Sequence, residues 1–498
     1  MTPVLLQARN AGTLIIALST AGNLALASDT EPSSVPASLR VGIEKLTLPG
    51  HESMGMFGST YLIETVPGIF LGPAAYGAVT GKRGGFFTVG GELAWRYQLA
   101  NKVSLNTGLY VGGGGGGTAL VGGGLMLRPH ADLMWDFGGY RAGISASNVR
   151  FPNGSISSNQ IGLLLDFDTS FVHTSAAANS SQAADGKRSG VGFDRAMILG
   201  GIYKPSSSST YISGKPMLQS IKYAGMRMER MLTPYVFAGI EATGAGSGGD
   251  AGYAEYLANI GAETPVLDNN ISLGTRVGLG MGGGGSISVG GGILAKAGVY
   301  ATANLSRNLH VSLEGGVTDA PNGHFRTKYA SVALHWDLDH PYSNATSSSI
   351  VANEWVAGTQ HYVKAARKDG SKRDIDSVTL KLNRYLSDSM YITGQAHSAY
   401  SGYAGGYSAG LIGLGYRSPK KTSNWYAGAE LLAGAAGGGG VDTSGGFMTQ
   451  PNAYVGVDIN KSLSARLNVG RVKSIKGTLN SNVIEVGLSY AFNTTSRD

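Results

Sequence analysis

Val103-Ser-Leu-Asn-Thr-Gly-Leu-Tyr-Val111 runs directly into six glycines, Gly112–Gly117. In the first nine residues the odd positions are Val, Leu, Thr, Leu and Val, and the even ones are Ser, Asn, Gly and Tyr. An alternation of period two is the mark of a strand with one face on apolar material and the other on water or small side chains. The same pattern recurs in Ile271-Ser-Leu-Gly-Thr-Arg-Val-Gly-Leu279, with Arg276 on the polar side, and in Val483–Phe492.

The glycine run recurs as well, at Gly112–Gly117, Gly282–Gly285 and Gly437–Gly440, with starts 170 and 155 residues apart. Downstream of each run lies a small residue followed at fixed spacing by two bulky ones. These endings are Gly162-Leu-Leu-Leu165-Asp-Phe167, Ala333-Leu-His-Trp336-Asp-Leu338 and Gly487-Leu-Ser-Tyr490-Ala-Phe492, and they lie 171 and 154 residues apart. Two landmarks with nearly equal offsets indicate an internal repeat, which must be recognised before any fold is assigned. Each copy reads as about eight strands of near ten residues, a length that suits a tilted strand crossing a membrane. Turns such as Pro152-Asn-Gly154 and Pro321-Asn-Gly323 join consecutive strands; Asn-Gly between alternating runs is a hairpin signal.

Composition narrows the class. Glycine makes up 78 of 498 residues and charged residues 14%, respectively roughly twice and about half of ordinary usage. No glycine period of three appears, which excludes collagen, and the apolar content is too high for disorder. The chain has no cysteine, so disulfides, thiolate metal sites and cysteine nucleophiles are excluded. Residues 1–27 read as a secretory signal: Arg9, the apolar stretch Ala11–Ala21, then Ala25-Leu-Ala27 before Ser28. No later apolar run reaches the ~18 residues of a membrane helix. An exported chain of alternating strands fits a membrane β-barrel, in which lipid touches the apolar faces and closure satisfies every backbone group. Tyr97, Trp135, Tyr300, Trp336, Trp425 and Tyr490, near strand ends, are candidates for the interface girdles of such a barrel.

The chain resembles bacterial outer-membrane β-barrel proteins. The resemblance rests on Gly487, Tyr490 and Phe492, which stand as Gly-x-x-aromatic-x-aromatic in the last strand. In that class the motif is the signal read by the barrel-assembly machinery. Here Asn493–Asp498 follow the final Phe, where the class usually stops. The resemblance covers about residues 38–492 and implies an outer-membrane location. It implies contact with outer-membrane lipid and lipopolysaccharide, and with periplasmic or surface partner proteins.

The expected organisation is a signal peptide (1–27), a first repeat (38–170), a polar linker (171–190), a second repeat (191–340), a linker (341–350) and a third repeat (351–492). Triplication allows one ring of about 24 strands with a wide polar lumen, or three eight-stranded barrels with filled interiors. The preferred expectation is the single ring. The polar face near the glycine runs is nearly bare, with Gly274, Gly278 and Gly280 flanking Arg276; a small barrel with little internal room favours such small residues, and in a large one the bare wall leaves room for a plug, a loop or a passing polymer.

Functional chemistry is sparse. His173 and Ser175, or His397 and Ser398, are the nearest approach to a hydrolytic pair, but a triad needs base, nucleophile and oxyanion donors to converge. No cofactor or metal motif is present, the glycine runs lack the Lys-Ser/Thr of a phosphate loop, and nothing points to nucleic acid. Lys364, Arg367, Lys368, Lys372 and Arg373 cluster around one hairpin, suited to an anionic surface or simply to water. The expected function is an outer-membrane channel or export conduit for a polar solute or polymer, with Arg276, Lys296, Glu430 and Glu485 facing the lumen. The alternatives are a pore-less structural or surface-interaction barrel and, more weakly, a barrel lipid hydrolase.

Overall fold

The computed structural model describes residues 33–176, 188–248, 250–267, 270–342, 348–419 and 423–497. The signal segment and parts of both linkers lie outside the described residues. The strands fall into three groups. The first comprises β1 (Ser33–Leu48), β2 (Glu52–Val66), β3 (Ile69–Thr80), β4 (Phe87–Ala100), β5 (Val103–Gly115), β6 (Met126–Asp136), β7 (Tyr140–Arg150) and β8 (Ser157–Ser175). The second comprises β9 (Arg195–Pro205), β10 (Ile221–Met231), β11 (Val236–Ser247), β12 (Ala254–Val266), β13 (Ile271–Gly283), β14 (Ile293–Asn304), β15 (Leu309–Asp319) and β16 (Arg326–Asp337). The third comprises β17 (Ser348–Ala366), β18 (Lys372–Tyr385), β19 (Met390–Ala399), β20 (Ser408–Arg417), β21 (Trp425–Gly437), β22 (Phe447–Asp458), β23 (Leu463–Ser474) and β24 (Asn480–Arg497).

The expected ring of about 24 strands built from tandem repeats does not form. β9–β16 close on themselves as a separate barrel, and the other sixteen strands belong to one connected sheet. That sheet contains two further closures, β1 on β8 and β17 on β24. The reason lies in the pairing. β8 is bonded to β7 along one edge and to β1 along the other, from Gly162 to His173, so it has no edge left to receive β9. Nor are the three groups independent modules: Phe492 pairs with Ser175 and Asn493 with Thr174, which joins β24 to β8. The residues after Phe492 continue β24, with Thr494–Arg497 pairing against Ser348–Val351 of β17.

Each ring has a near end, where both linkers and the C-terminal strand emerge, and a far end. Near-end hairpins are tight, with residues 67–68 between β2 and β3 and residues 101–102 between β4 and β5. Far-end connections are longer, for example residues 81–86 and 116–125. Both linkers leave and enter at the near end, so the three rings stand the same way up.

The faces are inverted relative to a soluble protein. Along β8, Ile161 is 74% exposed and Leu163 63%, while the alternate Asp166 is fully buried inside the ring. The outward residues of β13, including Leu273, Val277 and Leu279, are likewise exposed. Apolar surface on this scale signals a lipid-facing wall. Tyr97, Trp135, Trp336 and Trp425 are exposed and lie towards the near end, where they form a girdle. Two girdle candidates are corrected. Tyr300 points into its ring, where its hydroxyl donates to Glu263 at 2.9 Å, because it shares the inward parity of Lys296 and Gly298. Tyr490 stacks on Phe492 in the aromatic cluster between the first and third rings.

Candidate functional site

The glycine runs decide how the rings meet. Gly114, Gly115, Gly116 and Gly117 have φ of 146°, 136°, 105° and 55°; Gly283, Gly284 and Gly285 have 138°, 94° and 58°. Such values are open to glycine and disfavoured for other residues. They turn the end of β5 and of β13 outward onto a neighbouring ring. The runs therefore lie against a neighbouring backbone, and not against an open lumen. A Cβ placed on Gly85 would come within 2.3 Å of Gly284 N, one on Gly437 within 2.2 Å of Gly252 N, and one on Gly406 within 2.8 Å of Gly116 N. Backbone hydrogen bonds cross the seams: Gly84 donates to Gly290 at 3.0 Å, and Gly406 to Gly114 at 3.0 Å. The contacts are cyclic. The third strand of each group meets the fifth strand of the next, as β3 with β13, β11 with β21 and β19 with β5.

Three round walls that touch in a triangle enclose a three-sided gap. Below the glycine belt this gap is a chamber of about 570 Å³ bordered by all three rings. Its side chains come from outward positions: Ile63 and Leu71 from the first ring, Met226 and Met228 from the second, Leu380, Leu382 and Ile412 from the third. Phe87 stacks on Tyr256 across the first seam at 3.7 Å between ring centres. Lys381 and Gln395 border the chamber through their backbone; their side chains turn into the third ring, towards Glu430 and His397.

The ring interiors are filled. In the first, Arg40 reaches Glu92 at 3.1 Å, Asp132 at 3.2 Å and Asp166 at 3.4 Å, and Arg128 binds Glu44 at 2.9 Å. A cavity beside Arg40, Glu44 and Asp132 holds about 20 Å³, room for about one water molecule. In the second ring Arg276 pairs with Glu229 at 2.6 Å and with Glu314, while Lys296 binds Glu241 at 2.8 Å. In the third, Lys381 bridges Glu430 and Glu485, both at 3.1 Å, and Arg466 binds Glu430 at 2.9 Å and Glu354 at 3.3 Å. Arg276, Lys296, Glu430 and Glu485 are thus inside their rings and buried, each held by an opposite charge. A buried pair resists the loss of either partner far more than it stabilises the fold. Far-end loops then cover each ring with apolar side chains: Phe86, Val121 and Phe151 over the first, Ile287, Val289 and Phe325 over the second, Tyr407, Val441 and Leu479 over the third.

The bare inner face around Arg276 is filled by neighbours. A Cβ on Gly274 would meet the Tyr300 ring at 2.3 Å, and one on Gly278 would meet Asn259 Oδ1 at 2.4 Å. Neither histidine of the His/Ser candidates stands at an open site. His173 is buried beside Phe171 and lies 3.4 Å from the Tyr490 hydroxyl, and Ser175 pairs with Phe492 in the strand junction. His397 is fully enclosed by Tyr362 at 2.6 Å and Gln395 at 3.0 Å. Of the basic hairpin, Arg367 folds inward and donates to Tyr403 O at 2.6 Å, while Lys364, Lys368, Lys372 and Arg373 stay exposed. Sequence reasoning missed the chamber. Its one sequence signal was the small outward residues of two third strands, Ala242 and Gly244 on β11 and Gly394 and Ala396 on β19.

No family model matches the chain, and no curated protein matches it. Among solved structures, Pseudomonas aeruginosa OpdK with vanillate is similar at 10% identity over 93% of this chain and 99% of that chain, with a TM-score of 0.24. Acinetobacter baumannii OccAB3 is similar at 10% identity over 93% and 99%, with a TM-score of 0.21. P. aeruginosa OccK2 (OpdF) in complex with glucuronate is similar at 9% identity over 94% and 99%, with a TM-score of 0.22. Scores this low describe no shared arrangement of the whole chain, and no functional reading follows from them. The closed rings, the apolar outer faces and the ion-paired interiors make this chain an antiparallel β-barrel protein built to lie in a membrane.

Proposed function

We propose that the protein is an outer-membrane transport protein whose working space is the axial chamber between the rings. The observation that carries this reading is the contrast between two kinds of interior. The chamber holds about 570 Å³ and is shared by three walls, whereas the ring interiors are crossed by ion pairs and covered by apolar loops. A polar solute needs a water-lined route, and the rings offer none of useful width. In this reading Arg276, Lys296, Glu430 and Glu485 brace the walls, and passage runs along the axis. Gly487, Tyr490 and Phe492 serve the barrel-assembly machinery, and the exposed Lys364, Lys368 and Lys372 around the β17–β18 hairpin meet lipopolysaccharide.

Gly410 supplies the test. It borders the chamber, and a Cβ there meets nothing within 4 Å, so Gly410→Trp fills the space without breaking a ring. Uptake of the apolar dye N-phenylnaphthylamine by cells making the wild-type protein should exceed that of cells making Gly410→Trp. Sugar-driven swelling of vesicles holding the wild-type protein should stay at the protein-free level. Swelling by sugars, or dye uptake equal in the two proteins, would refute the axial route. A pore-less scaffold is the second reading, favoured by the ion-paired interiors; it predicts no uptake by either protein.

A further inference from the structure

We propose that the axial chamber is a binding site for hydrocarbon, occupied by the acyl chains of a membrane lipid. The inference rests on the reading of the chamber as working space and names what fills it. Its walls are the same outward strand faces that elsewhere meet the bilayer. Ile63, Leu71, Met226, Leu380, Leu382 and Ile412 occupy outward positions and line it, continuing the parity that exposes Ile161 and Leu163 on the lipid side. Water is a poor occupant, because an ordered water needs two to four polar partners and an apolar cavity stays dry. A void is a poor occupant too, because protein interiors are close-packed and walls without neighbours forfeit their dispersion contacts. The space is real: Ala242 and Ala396 are exposed within it, and Gly410 has open space above its Cα. At the far end it is rimmed by Gly85, Gly115, Gly252, Gly283, Gly406 and Gly437, the glycines of the three seams.

The chain has no cysteine, so single cysteines can be introduced without background. Ala242→Cys and Ala396→Cys, on the second and third rings, carry a nitroxide in phosphatidylcholine vesicles. Leu163→Cys is the lipid-facing control and Lys372→Cys the water-facing one. Collision of the label with molecular oxygen reports hydrocarbon, and collision with a neutral nickel chelate reports water. The expected result is that both chamber labels show the oxygen-to-nickel ratio of Leu163→Cys, and that adding Gly410→Trp lowers oxygen collision at Ala396→Cys. Nickel collision like that of Lys372→Cys at either chamber position would overturn the hydrocarbon assignment and leave an axial route standing. Low collision with both probes at both positions would also overturn it, since the chamber would then be collapsed or empty. Dye uptake insensitive to Gly410→Trp, with oxygen-rich chamber labels, would refute the axial route and leave the lipid site intact.

Discussion

Gly85 and Gly138 have almost the same backbone, with φ of 86° and 82°, yet opposite surroundings. A Cβ on Gly138 meets nothing within 4 Å, whereas one on Gly85 lies 2.3 Å from Gly284 N and 2.7 Å from Gly283 C across the first seam. Both positions pay for a side chain in the left-handed region, about 1–2 kcal/mol. Only Gly85→Ala adds overpacking against a backbone that cannot rotate away, a further ~1–3 kcal/mol. Gly85→Ala should therefore cost about 2–5 kcal/mol and Gly138→Ala about 1–2 kcal/mol. The comparison is made by reversible urea unfolding in lipid vesicles, with each midpoint converted through its own slope. Spin labels at Lys82→Cys and Asn322→Cys, on far-end loops either side of that seam, should move apart or broaden in Gly85→Ala and stay put in Gly138→Ala. Equal costs for the two alanines, with an unchanged label distance, would refute the argument that the glycine belt is a tight inter-ring contact.

Glu314 accepts from Arg227 at 3.0 Å, from Arg276 and from the Tyr329 hydroxyl at 2.6 Å; Glu314→Gln leaves two guanidinium groups short of charge and should cost about 3–5 kcal/mol by urea unfolding, and a loss under about 1 kcal/mol would show that the interior network is dispensable. Burial pushes the near-end Asp194 carboxyl up to about 6. A raised carboxyl pKa favours the neutral folded form, so this contribution is complete below the ordinary value of about 3.9 and is lost as pH rises through about 6. The wild-type urea midpoint should accordingly fall across that interval relative to Asp194→Asn, and parallel pH profiles would contradict the assignment. Removing residues 494–498 deletes the β24 extension that pairs with Ser348–Val351 and the Arg497 contact with Asp339 Oδ1 at 3.1 Å. The third ring should still close, while labels on the near ends of β8 and β17 should show a broader distance distribution.

Much of this architecture is written in local pattern. The alternation in Val103–Val111 and Ile271–Leu279 placed strands and their two faces, because side-chain parity depends on neighbours in sequence. Ring closure is different. Whether β8 pairs with β1 or with β9 is settled by residues far apart in the chain, and each choice leaves the alternation unchanged. The glycine runs were visible but read as a bare lumen wall, since an absent side chain says nothing about which backbone approaches. Tyr300 shows a signal that was available: it lies four residues beyond Lys296, on the same inward parity, so its place near a strand end was the weaker clue. Arg276, Lys296, Glu430 and Glu485 could be placed on inward faces from sequence. Their partners Glu314, Glu241, Lys381 and Arg466 could not be matched to them without the ring geometry.

The seams run head to tail, with the third strand of one ring on the fifth strand of the next. A separate-subunit assembly of that kind would use one pair of surfaces three times over, and any change would appear at all three contacts together. Here the same circle is drawn by a single polypeptide, so each contact can change alone. Met281 over Gly77 and Phe87 on Tyr256 occur at one junction, while Met226 beside Gly394 occurs at another. Stoichiometry is set by the ribosome, no fourth wall can be recruited, and the space in the middle is free to become lopsided, with one side specialised independently of the other two.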